Sequence, residues 1–76
     1  MKKILFFTSQ WCPACPELKE KLGTIEQVEY MDVEQQVDLA NKYEVRGLPT
    51  LIKLENNEYK DRLTNPNVLE ARKFIN

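Results

Sequence analysis

A chain of 76 residues has room for one hydrophobic core, and folding at this size removes roughly 60% of the surface the unfolded chain exposes. Eleven basic against twelve acidic side chains leave a net charge of −1, which argues against the basic excess of a nucleic-acid-binding face. No histidine is present, so Cys–His and Ser–His nucleophile pairs are excluded, with every zinc site that needs imidazole.

The chain opens Met1-Lys2-Lys3-Ile4-Leu5-Phe6-Phe7. Its continuous apolar run predicts a strand over Lys2–Thr8 that is buried on both faces. The two lysines imitate the start of a secretory leader, but the apolar run breaks at Thr8-Ser9-Gln10, short of the roughly 7–15 residues a leader needs. No stretch approaches the ~20 apolar residues of a membrane span. With only two cysteines the expected compartment is a reducing one, the cytoplasm.

Ser9-Gln10-Trp11 reads as a loop, with Trp11 at the surface, and a helix is predicted from about Pro13. Apolar residues recur at Cys15, Leu18, Leu22 and Ile25, while Glu17, Lys19, Glu20 and Lys21 face water. Gly23 is a plausible stop. With Cys12 as N-cap, Pro16 would fall where the first intrahelical donor belongs. The expectation is an irregular first turn whose free N–H groups face a cysteine sulfur.

Val28–Val33 is predicted as a short edge strand and Gln36–Tyr43 as a short helix. Arg46-Gly47-Leu48-Pro49-Thr50 breaks that helix, and Leu51–Leu54 forms a third strand. Asn56-Asn57 suits a hairpin turn, Glu58–Leu63 returns as an edge strand, and Asn65-Pro66 caps a last helix with Val68, Ala71 and Ile75 inward. Tyr30, Tyr43 and Tyr59 are expected to pack. The order βαβαββα implies an α/β fold: parallel pairing of strands separated by helices, with one antiparallel hairpin at the side.

Cys12 and Cys15 are the only cysteines, and three readings compete. As a structural disulfide the pair would barely constrain the unfolded chain, because the loop is so short. As half a metal site it lacks two ligands, which only a second copy could supply. As a redox dithiol it needs a strand before it and a helix after it, and both are predicted.

Trp11-Cys12-Pro13-Ala14-Cys15, following a buried strand and opening a helix, resembles the thioredoxin/glutaredoxin family. Tyr43-Glu44-Val45-Arg46-Gly47-Leu48-Pro49-Thr50-Leu51 is similar to that family's segment ending in a cis-proline that faces the cysteines. The resemblance covers nearly the whole chain, in a minimal, glutaredoxin-sized form, and implies a thioredoxin fold: a four-stranded mixed sheet with helices on both faces. It also implies a protein-disulfide reductase with a redox-active Cys12–Cys15 disulfide and no other cofactor or metal. Cys12 would attack, Cys15 would resolve, and Trp11, Pro13, Ala14, Leu48 and Pro49 would form the substrate rim. Expected partners are protein disulfides and a thioredoxin-reductase-type electron donor, with no nucleic acid and no membrane, and the chain would be a monomer.

Departures from the pattern bear on mechanism. Pro13-Ala14 replaces the usual Gly-Pro, and Phe6 stands where thioredoxins carry a buried aspartate. Glu17, Glu34 and water are the remaining candidates to take the Cys15 proton. Leu63-Thr64-Asn65-Pro66 stands where glutaredoxins hold glutathione with a Gly-Gly pair. A glutathione-coupled protein and a non-catalytic binding subunit are the alternatives.

Overall fold

A computed structural model describes residues 1–76. Its elements run β1 (Lys2–Thr8), α1 (Ala14–Leu22), β2 (Val28–Asp32), α2 (Val37–Lys42), β3 (Thr50–Glu55), β4 (Glu58–Thr64) and α3 (Val68–Ile75). The sheet order is β2-β1-β3-β4.

Strand β1 is the axis of the molecule because its side chains are apolar on both faces. Ile4 and Phe6 point to one side, where they meet Leu18 and Leu22 of α1, Ala71 and Ile75 of α3, and Leu51 of β3. Leu5 and Phe7 point to the other, onto Ala40 of α2 with Ile52 and Leu54. Alternation along one strand therefore splits the core into two layers. Each fully buried large side chain contributes about 1.5–3 kcal/mol. Phe7 and Tyr43 meet edge to face at 6.5 Å, and Tyr43 stacks on Tyr59 at 6.2 Å, so two of the tyrosines pack as expected.

Only the β1–β2 pair is parallel; β3 runs antiparallel to β1 as well as to β4. This corrects the expectation that each helix-separated pair runs parallel. The six residues of α2 rise about 9 Å, too little to carry the chain back along a strand. The chain re-enters the sheet at the end it left, and Thr50 pairs with Phe7 near the end of β1.

The hairpin turn forms as predicted, with φ values of 54° at Asn56 and 68° at Asn57. Two helix starts differ from expectation. Pro13, not Cys12, is the N-cap of α1, so Pro16 sits at the third helical position, where its missing N–H has no partner within the helix anyway. Helix α3 starts at Asn67, whose side chain accepts from Glu70 N–H while Glu70 accepts from Asn67 N–H. This reciprocal box satisfies two donors at once, which Asn65 could not do. Asn65 instead turns the chain with φ 50°.

Candidate active site

At the C-terminal end of β1 the chain leaves the sheet through Ser9–Pro13 and enters α1, which places Cys12 in the loop and Cys15 in the first helical turn. The two are joined by a disulfide across a Cα–Cα distance of 5.4 Å. Cys12 is 8% exposed and Cys15 1%, so what access there is lies on Cys12. Cys15 belongs to the inward stripe with Leu18 and Leu22; Ile25 packs on the same core from the turn after the helix.

Of the expected rim residues, Trp11, Pro13 and Ala14 adjoin the cysteines along the chain, and Leu48 packs on the cluster that contains them. Trp11 is 77% exposed, and Pro13 and Ala14 are exposed beside it. Across from them the Leu48–Pro49 bond is cis, Pro49 is buried, and half-buried Leu48 packs against the cluster that contains Cys12 and Cys15. The Pro49 carbonyl accepts from Asn65 N–H at 2.7 Å, and Thr50 Oγ1 donates to the Gly47 carbonyl. The proline loop is therefore held to β4 and closed on itself.

The main-chain donors near the cysteines are nearly all committed. Trp11 N–H donates to Ser9 Oγ at 3.1 Å, Cys12 N–H to the Ser9 carbonyl at 3.1 Å, and Cys15 N–H to the Cys12 carbonyl at 3.2 Å. Pro13 and Pro16 have no N–H. The expected irregular first turn depended on Cys12 as N-cap; with Pro13 in that place Pro16 is accommodated, and no set of free N–H groups is left aimed at sulfur.

Ser9 was not singled out by the sequence. It is buried, and its hydroxyl donates to Glu34 Oε1 at 3.3 Å while accepting from Trp11. A lone serine in a loop carries no signal that would have found it. Glu34 is thus engaged with Ser9. Glu17 is exposed and bound to Lys21 at 2.9 Å, which holds its carboxyl below the usual range and makes it a poor proton acceptor. Phe6 is fully buried with its ring 4.9 Å from that of Tyr30, so packing fills the position of the family's acid.

Two sulfurs that can be bonded to each other or separately protonated store two electrons, so the site has the chemistry of a dithiol–disulfide redox pair. Comparison with known proteins narrows this. The thioredoxin family model matches residues 1–75. The chain is similar to thioredoxin of Mycoplasma pneumoniae, 30% identical over 67 residues that span 80% of this chain and 66% of that protein. It is also similar to chloroplastic thioredoxin Y of Oryza sativa, 37% identical over 57 residues, or 66% of this chain and 34% of that one. The match thus spans about a third of the rice protein and just under two thirds of the bacterial one. Among solved structures, Fasciola hepatica thioredoxin superposes with a TM-score of 0.83 at 28% identity, over 97% of this chain and 77% of that one. The chain belongs to the thioredoxin family.

Proposed function

We propose that this chain is a thiol–disulfide oxidoreductase that reduces protein disulfides through Cys12 and Cys15. The observation that carries the reading is the exposure difference between two bonded cysteines: Cys12 keeps an edge to solvent and Cys15 is sealed. In the dithiol form the Cys12 thiolate attacks one substrate sulfur, forms a Cys12–substrate bond and expels the other substrate sulfur as a thiolate. Cys15 then gives its proton to water and attacks Cys12 Sγ. The Cys12–Cys15 bond forms, the second substrate thiol leaves, and two electrons have passed to the substrate.

Trp11, Pro13, Ala14 and Leu48 supply an apolar landing area, and the Leu48 main chain offers pairing to an extended substrate segment, a mode that reads backbone more than sequence. A thioredoxin-reductase-type protein is the donor this reading requires, in a cytoplasmic setting that keeps returning the pair to the dithiol form. A glutathione donor fits less well. The start of α3, beside the proline loop through the Asn65–Pro49 bond, is filled by its own Asn67–Glu70 box with a carboxylate in place.

Cys15→Ser tests the reading. Incubated with a disulfide-bonded protein, it is expected to accumulate a mixed disulfide through Cys12 that dithiothreitol dissolves, while Cys12→Ser accumulates none. Equal recovery of substrate with both variants, without a covalent adduct, would make the chain a binding subunit.

A further inference from the structure

We infer that the outer edge of β2 is a docking site for a basic, extended segment of a partner protein, which adds to the sheet as a further strand. Two main-chain bonds at the ends of β2 set which way its groups point. Ile4 N–H donates to the Gln27 carbonyl and Val33 N–H to the Thr8 carbonyl, both at 2.9 Å, so the odd-numbered residues turn their main chain toward β1. Val28, Tyr30 and Asp32 turn theirs the other way, where the sheet order ends. Part of that edge is closed within the chain. Val28 N–H donates to the Ile25 carbonyl at 3.0 Å, and the Asp32 carbonyl accepts from Gln35 and Gln36. The Val28 and Tyr30 carbonyls and the Tyr30 and Asp32 N–H groups remain, and an antiparallel strand centred on Tyr30 satisfies all four.

Charge selects the occupant. From Gly23 to Asn41 the sequence carries the acids Glu26, Glu29, Asp32, Glu34 and Asp38 and no basic residue, although the whole chain is only −1. Lys3 pairs with Glu29 at 2.6 Å; no other acid of the run has an ion-pair partner. A second copy would bring the same acidic run against the first, which like charge opposes, whereas basic side chains on a partner gain from it. The register then gives the order of residues. Directly opposed side chains in an antiparallel pair share a face, so the partner residue facing Tyr30 lies on the α1 side. An open groove of about 460 Å³ is there, with Pro16, Lys19, Ile25, Val28 and Tyr30 among its walls. Lys19 Nζ sits 4.4 Å from the centre of the Tyr30 ring and disfavours a second cation at that spot, so an aliphatic side chain fits it. Two residues earlier the partner faces Asp32, and one residue later Glu29. Its sequence therefore reads basic, any, aliphatic, basic.

The probe is a capped, cysteine-free peptide, Thr-Lys-Thr-Val-Lys-Thr, added to the disulfide form of the protein so that no exchange chemistry enters. Main-chain amide shifts are followed by NMR to millimolar peptide. Saturable shifts at Tyr30 and Asp32 are expected, with slower hydrogen exchange at those two N–H groups, and the same peptide with glutamates for its lysines should leave both unmoved. Asp32→Asn keeps the Oδ1 that accepts from Glu34 N–H, and should weaken binding roughly 1.5- to 5-fold, the range of one exposed ion pair. Asp38→Asn removes an acid of the same run from α2, outside the strand, and should leave binding unchanged. Equal weakening by the two variants would mean diffuse attraction to an acidic surface and would overturn the inference. Shifts that never saturate, shifts centred on Trp11 and Leu48, or dimerisation through β2 without peptide would overturn it as well.

Discussion

The guanidinium of Arg62 on β4 donates through Nη1 to the main-chain carbonyl of Glu44, 18 residues earlier, at 3.3 Å. Its Nη2 reaches the Tyr43 carbonyl and its Nε the Tyr59 hydroxyl at 3.0 Å, so all three nitrogens are used. Helix α2 ends at these carbonyls and has none of its own donors left for them. Glu44 follows in the left-handed region, at φ 52°, a conformation a glutamate adopts at a cost of about 1–2 kcal/mol. Arg62 thereby fastens the segment that leads from α2 to Leu48 and Pro49.

Arg62→Ala should cost about 1.5–3 kcal/mol, the range for hydrogen bonds to a charged group. Its signature should be local. Amide exchange at Val45, whose N–H bonds the Ala40 carbonyl, is expected to quicken more than exchange in β1. The KM for a protein disulfide should rise while reduction of a small disulfide is little changed, because the small substrate needs the sulfurs but not the Leu48 backbone. Equal losses on both substrates would mean that Arg62 serves global stability alone.

Phe6 tests whether the missing acid matters. Phe6→Asp would place a carboxyl in a site with no exposure, between Tyr30 and the cysteine cluster, with no partner to receive it. The lost apolar burial and the unpaired polar group together approach the roughly 5 kcal/mol that a small domain has to spare. The expected outcome is a chain largely unfolded in the absence of denaturant, read by circular dichroism. Phe6→Leu should fold and keep its redox equilibrium, since packing is what the ring provides.

How much of this was legible depends on where the information lies. β1 could be read from four consecutive apolar residues, the hairpin from Asn56-Asn57, and the redox pair from two cysteines at a helix start. The antiparallel β3 was readable in principle from the brevity of α2. The start of α3 was misplaced because two asparagines flank Pro66, and the deciding residue, Glu70, lies three positions beyond the second. Ser9 and Arg62 were invisible for a physical reason: the groups they bind include main-chain atoms, which every residue has. A side chain aimed at a carbonyl 18 residues away leaves no pattern in the sequence.

Ser9→Ala removes the hydroxyl that joins Trp11 N–H to Glu34. The loss is expected to be about 1 kcal/mol, more if the Trp11 amide finds no water. Because Cys12 N–H keeps its bond to the residue 9 carbonyl, the disulfide should still form. Trp11 should become more mobile, and its fluorescence anisotropy should fall. An unchanged anisotropy would show that the rim is held by side-chain packing instead.

Tyr30 gives a prediction at alkaline pH. Burial against Phe6 raises its hydroxyl above the ordinary value of 10.0, desolvation being the cause. The folded chain therefore keeps the phenolic proton at a pH where the unfolded chain has released it. In that window the unfolded state binds fewer protons, so stability falls as pH rises. Tyr30's contribution is fully present below about pH 10 and is lost as pH climbs through the raised folded value. Urea midpoints measured for wild type and Tyr30→Phe should run parallel up to that point and converge above it, the variant lacking this part of the alkaline slope. Curves that stay parallel throughout would show that Tyr30 ionises equally easily folded and unfolded, and that its hydroxyl faces open water.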